Sequence, residues 1–95
     1  MNENPNPDTI LTFVDTLLTN DLKLFCFLMP QLKLMTEIEA LGTLEFFKVK
    51  TIHLFQELEV YLEIFSFHQL DKLEKMFDKN LNCYMIFGTL GMKSL

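Results

Sequence analysis

A histidine and a glutamate four residues apart are the first place to look for chemistry in this chain. His53 and Glu57 have the spacing that puts two metal ligands on one face of a helix. A metal site needs three or four protein ligands, and no nearby cysteine or aspartate completes this pair. His68 would join them only if the next turn of the chain brought it close. We therefore expect no metal site, and two histidines that are solvated or locally hydrogen-bonded.

Oxygen-bearing side chains at Asp78, Asn80 and Asn82 match the first half of a calcium-binding EF-hand loop. The match fails at the sixth position, which requires glycine and is Cys83, and at the twelfth, which requires glutamate and is Thr89. Too little chain follows for an exiting helix. The segment is better interpreted as the asparagine-rich end of a helix, and no cofactor is predicted.

The sequence also offers no candidate for an activated nucleophile. A catalytic Ser, Thr, Cys or Lys needs a base beside it, but Ser66 has the features of a helix cap and Ser94 lies near the terminus. Cys26 stands in the most apolar stretch of the chain. With Cys83 it makes only two thiols, without Cys-x-x-Cys spacing. The sequence predicts two buried, reduced cysteines in a cytoplasmic protein that is not an enzyme and has no catalytic residues.

Bulky apolar side chains dominate the composition instead. Leu, Ile, Val, Phe, Met and Tyr supply 44 of the 95 residues, and alanine occurs once. A domain of this size buries only about two-thirds of the surface that its unfolded chain exposes. Part of this apolar bulk is therefore expected at the surface, where a partner would cover it.

The charged residues argue against several classes of partner. Eight lysines, no arginine and thirteen acidic residues give a formal charge of −5. Nucleic acids and anionic bilayers both require a basic surface on the protein. The longest unbroken apolar run, 24–29, is far too short to span a membrane. We expect neither nucleic-acid binding nor a membrane span.

The first predicted helix begins with strong local signals. Asn6 can cap it, and Pro7 suits its first position. Apolar residues from Ile10 to Leu18 recur at helical spacing, and the helix is predicted to end near Asn20.

A second helix is predicted over 22–41. Asp21 would cap its start, Pro30 would bend or break it, and Gly42 would cap its end. Residues 22–29 are apolar in almost every direction, which predicts a segment buried on all sides, as helix or as strand.

The third helix, capped by Thr43 and running to about Phe65, carries two apolar stripes. The broad stripe would face the core and comprises Leu44, Phe47, Leu54, Phe55, Leu58, Tyr61, Leu62 and Phe65. The narrow stripe lies nearly opposite and comprises Phe46, Val49, Val60 and Ile64. A helix with two apolar faces must contact something on both, so this is either the middle helix of the domain or a docking surface for another chain.

Ser66 and Gln69 have the spacing of a capping box, which predicts a fourth helix from Phe67 to about Asn80. Residues 81–95 would form a short helix or an extended segment with an apolar end. No internal repeat stands out.

These patterns predict an all-α antiparallel bundle of four main helices, the second kinked or broken at Pro30, with a short fifth segment as an option. Residues 1–6 would be a disordered lead-in, 7–90 a single helical domain and 91–95 an apolar tail. The predicted function is a small protein-interaction module, a regulator, adaptor or chaperone-like subunit that binds a protein partner or a second copy. The expected contact residues are Phe46, Val49, Val60, Ile64, Leu90, Met92 and Leu95. The alternatives are a structural subunit of a larger assembly and a helical bundle that binds an apolar ligand.

Overall fold

Three long helices joined by two short 3-10 segments make up the part of the chain that the structure describes. The structure is a computed structural model that describes the backbone of residues 5–93 and the side chains of residues 5–86. Helix α1 is Pro7–Leu28, α2 is Glu37–Leu58 and α3 is Phe67–Lys93. The first 3-10 segment is Met29–Leu34 and the second is Glu59–Ile64. The all-α prediction is confirmed, and the prediction of four main helices is wrong.

Each helix begins at a side chain that caps it, and the three caps are evenly spaced. The Asn6 side chain accepts a hydrogen bond from the backbone N–H of Asp8 at 2.8 Å. Thr36 and Glu39 form a reciprocal capping box, as do Ser66 and Gln69. Asn6, Thr36 and Ser66 follow one another at intervals of 30 residues. Helices α1 and α2, each of 22 residues and each followed by a six-residue 3-10 segment, therefore form two units of the same length.

Three predicted helix ends are wrong because the residues that favour an end do not enforce one. Helix α1 continues through Asp21 to Leu28, where the α-helix ends just before Pro30 as predicted. Gly42 and Thr43 lie inside α2, and the Thr43 hydroxyl donates to the Glu39 carbonyl at 2.9 Å instead of capping a new helix. Helix α3 likewise passes Asn80 and includes most of the predicted tail.

The three helices run up, down and up, with α3 packed along both of the others. Lys50 and Asp21 join α1 to α2 in antiparallel fashion, and the rings of Phe55 and Phe77 join α2 to α3 in the same way. Helices α1 and α3 are parallel. Helices α1 and α2 contact each other over much less of their length than either contacts α3. The molecule is therefore elongated, 52 × 24 × 18 Å, and open along one side.

Two clusters of buried side chains hold the helices together. The aliphatic core lies near the start of α1 and comprises Leu11, Val14, Leu18, Leu58, Phe65, Leu73 and Phe77. The aromatic core lies nearer the other end and comprises Phe25, Leu44, Phe47 and Tyr84. In the aromatic core the ring of Phe25 meets those of Phe47 and Tyr84 edge-on, at centroid distances of 5.3 and 4.9 Å.

Residues 22–29 are not buried on all sides as predicted. Phe25 is fully buried, but Leu24, Cys26 and Phe27 are exposed on the same helix. A helix in a three-helix arrangement has neighbours on one side only, so an apolar residue on its far side stays in contact with water. The sequence pattern records apolar surface, and the number of neighbouring helices decides how much of it is covered.

Candidate functional site: an apolar groove between α1 and α2

Two adjacent clefts form a groove along the side of the molecule where α1 and α2 are not covered by α3. One cleft, of about 580 Å³, is lined by apolar side chains of both helices: Leu17, Phe46, Val49 and Leu54. The second, of about 530 Å³, is lined by Leu24, Leu28, Met35, Phe46 and Phe47 with Gly42 and Thr43. Phe46 lines both clefts, so the two lie next to each other along α2.

Charged side chains stand along the edges of this groove. Lys50 bridges it, with its ammonium 3.0 Å from the Asp21 carboxylate and 5.8 Å from the centre of the Phe46 ring. Glu45 pairs with Lys48 at 3.3 Å, one turn along α2. Both pairs reach solvent, where an ion pair contributes little to stability, although the Asp21 side chain itself is only 14% exposed. Their main effect is to set the charge that a molecule entering the groove would meet.

A buried polar layer inside the bundle links α1 to α3. The Asn80 amide donates to the Leu18 carbonyl at 2.8 Å and to the Tyr84 hydroxyl at 3.1 Å. The buried Thr51 hydroxyl donates to the Phe47 carbonyl within α2 at 2.8 Å. Burial raises the pKa of Tyr84, and the hydrogen bond that the phenol accepts from Asn80 opposes that rise. Because the bond from Asn80 to the Leu18 carbonyl is directional, the layer fixes the register of α3 against α1.

The predicted contact residues fall on separate parts of the molecule. Phe46 and Val49 lie together in the groove, and each is 58% exposed. Val60 is 78% exposed on the second 3-10 segment, whereas Ile64 is partly buried against the aliphatic core. The tighter winding of the 3-10 segment ends the α-helical stripe that the spacing implied.

The remaining predicted contacts fall in the carboxy-terminal part of the chain. Leu90 and Met92 lie in α3, but their side chains are outside the described residues, and so is Leu95. The predicted lead-in at 1–6 also falls mainly on residues outside the described range.

The residues considered for chemistry do not assemble into a reactive site. His53 and Glu57 form an exposed pair at 3.5 Å, and His68 is exposed at the start of α3. Among the described residues, no three His, Cys, Asp or Glu side chains are placed to hold a metal ion. The segment 78–82 is helical, so it is not a calcium loop. Both cysteines are unpaired, but Cys26 is exposed, which contradicts the prediction that it is buried.

The groove's α1 wall and the polar layer were not anticipated from the sequence. Leu17 belongs to the apolar repeat of the first helix and Leu24 to the segment predicted to be buried. The sequence of one helix does not reveal how few contacts α1 and α2 make, so neither residue is predicted to line a groove. Asn80 and Tyr84 were placed at a helix end and in a tail. Their spacing of four residues, which aligns them on one face of a helix, was the available signal.

No helix among residues 5–93 has the length and apolarity that crossing a bilayer would require. Comparison of the chain with protein-family models, with curated proteins and with solved structures gives no match.

Proposed function

We propose that this protein is a non-catalytic interaction module, an adaptor or regulator that binds a protein partner through the groove between α1 and α2. The observation that carries the proposal is the amount of apolar surface left in water. Fifteen large apolar side chains are exposed between residues 5 and 86. Covering apolar surface is worth roughly 25 cal/mol per Å². Phe46 and Val49 place part of this surface in a concave site, where a partner can cover it efficiently.

The form of the groove favours a protein over a small apolar ligand. Small-molecule sites enclose most of the ligand surface within one cavity. Here the lining residues extend along α2 from Glu39 to Glu57, and the two clefts open side by side onto the surface. An elongated partner would contact both clefts at once, whereas a small ligand would leave most of the groove exposed.

Site-specific photo-crosslinking in the native cells tests this proposal. A photoreactive benzoylphenylalanine replaces Val49 in the groove, Val60 on the second 3-10 segment, or the exposed Asn82 on α3. We expect one discrete protein adduct from position 49 and none from position 82, because only the groove is bound. The same adducts from all three positions, or no adduct from any, would contradict the proposal. An adduct from position 60 alone would move the contact surface to the 3-10 segment.

A further inference from the structure

We infer that the groove binds a basic amphipathic helix supplied by a different protein. This inference rests on the proposed function and specifies the chemistry of the partner. Its first support is geometric. Three helices enclose the buried layer, and the groove occupies the place beside α1 and α2 that a fourth helix would fill in a bundle.

The length of the groove matches a helix of about five turns. Its lining residues on α2 run from Glu39 to Glu57, and at 1.5 Å per residue this stretch is about 27 Å long. A helix of roughly 18 residues has the same length. Phe46 stands near the middle, where an apolar stripe on the incoming helix would pack against it.

The charged residues along the groove indicate which charge the partner's contacting residues should carry. The charged residues that line the two clefts are Asp21, Glu39, Glu45, Glu57 and Lys50, an excess of acidic groups. The one lysine is already paired with Asp21. Glu39 and Glu57 stand at opposite ends of the groove, and among the described residues no lysine lies within ion-pair distance of either. Glu57 is 3.5 Å from His53, and Glu39 accepts hydrogen bonds from Thr36, so each keeps its negative charge at the groove without a lysine partner.

A second copy of this chain fits this surface less well than a basic helix does. Two copies that meet through the groove would bring the same excess of acidic groups together, and like charges across an interface disfavour association. Lysine or arginine residues at both ends of an apolar helix would instead reach Glu39 and Glu57. Such charges would also raise the rate of association.

Binding of two designed peptides measures this preference. One is an 18-residue fluorescein-labelled helix with leucine along one face and lysine on the other, and the second has glutamate in place of every lysine. Fluorescence anisotropy with the full-length protein gives both affinities. We expect the lysine peptide to bind at least about tenfold more tightly, and its affinity to fall as salt screens the charges.

A matched pair of variants shows whether the groove is the source of the preference. E45K/E57K reverses two charges at the groove, and E59K/E63K reverses two exposed charges on the second 3-10 segment with the same change in net charge. We expect the first to weaken lysine-peptide binding about tenfold and the second to change it less than about threefold. Circular dichroism and thermal midpoints establish that both variants are folded.

The outcomes separate this inference from the proposed function. If both peptides bound equally and neither variant changed their binding, the inference that the partner is basic would be wrong. An adduct at position 49 would still support the proposed interaction module. If neither peptide bound although that adduct formed, a helical occupant would be excluded. A dimeric mass by light scattering that becomes monomeric in Val49→Asp would assign the groove to a second copy.

Discussion

At the scale of single residues, Asn80 has the most consequential position. It is 3% exposed, and its amide contacts both α1 and Tyr84. In Asn80→Ala the Tyr84 hydroxyl loses this donor and α3 loses a directional contact with α1. We expect the free energy of unfolding to fall by about 2 kcal/mol. Urea unfolding followed by circular dichroism measures it.

The control for this prediction is Asn82→Ala, because Asn82 is exposed on the same helix. Both substitutions gain the same few tenths of a kcal/mol in helix propensity, so the difference between them reports the buried contacts. If the two variants were equally stable, the polar layer would contribute nothing to the fold.

Tyr84 gives the bundle a pH dependence at high pH. Burial raises the pKa of its phenol in the folded state, so the folded protein keeps a proton that the unfolded chain loses above about pH 10. The resulting stability is fully present below the unfolded pKa and is lost as pH rises through the folded one. We expect the urea midpoint to fall between about pH 9 and 11 in the wild type and much less in Tyr84→Phe.

Tyr61→Phe serves as the comparison, since Tyr61 is at the surface. It should keep the wild-type fall. A fall of the same size in Tyr84→Phe would mean that another group causes the alkaline loss of stability.

The sequence does not mark this layer, for a physical reason. A buried asparagine is favourable only if a partner on another helix satisfies its amide, and that partner is the Leu18 carbonyl, a backbone atom. Every residue has a carbonyl, so no side-chain pattern marks the site. Leu73 and Phe77, in contrast, lie four residues apart, and this helical spacing alone predicts that they share one face; both are buried.

At the scale of helices, a substitution at Gly42 tests whether a helix ends there, as the sequence predicts, or continues through it, as in the structure. Gly42 lies inside α2 with a negative φ, and a Cβ added there meets no atom within 4 Å. Gly42→Ala should therefore stabilise the protein by roughly 1 kcal/mol, because alanine is the better helix former. If Gly42 ended a helix in the left-handed conformation, the same change would be destabilising. The urea midpoint gives the sign, with the exposed Gln56→Ala as the control.

The caps show what local sequence can and cannot determine. Asn6 and the Ser66–Gln69 pair were recognised correctly, because each lies where the apolar pattern restarts. The Thr36–Glu39 pair has the same capping-box spacing and was missed, because a helix was assumed to continue past Pro30 to Gly42. Asp21 also has the residue type of a cap, but within the unbroken α1 its carboxylate pairs with Lys50 of α2.

At the scale of the whole molecule, the groove exists because α1 and α2 both pack on α3 more than on each other. Helix α3 packs on both α1 and α2 and is long enough to reach both cores. The two apolar faces of α2 were visible in the sequence, so Phe46 and Val49 could be predicted as a second surface. Their neighbours Leu17 and Leu24 could not, since nothing in α1 specifies how far it stands from α2.

Because α3 contributes to both cores, a substitution that destabilises one core should also destabilise the other. Leu73 lies on α3 in the aliphatic core and is 1% exposed. Leu73→Ala should lower the free energy of unfolding by about 2–5 kcal/mol, through lost burial and a cavity. The control is Leu34→Ala, since Leu34 is 88% exposed on the first 3-10 segment, and it should have little effect.

Hydrogen exchange then shows whether the two cores unfold together. Helices α1 and α3 run through both cores, and the Asn80 layer joins them. Leu73→Ala should therefore reduce amide protection around Tyr84 and Phe25 as much as around Leu18. If protection near Tyr84 persisted while that near Leu18 was lost, the cores would be separate cooperative units. The Asn80 layer would then contribute register without cooperativity, and a partner in the groove could stabilise one end of the molecule without the other.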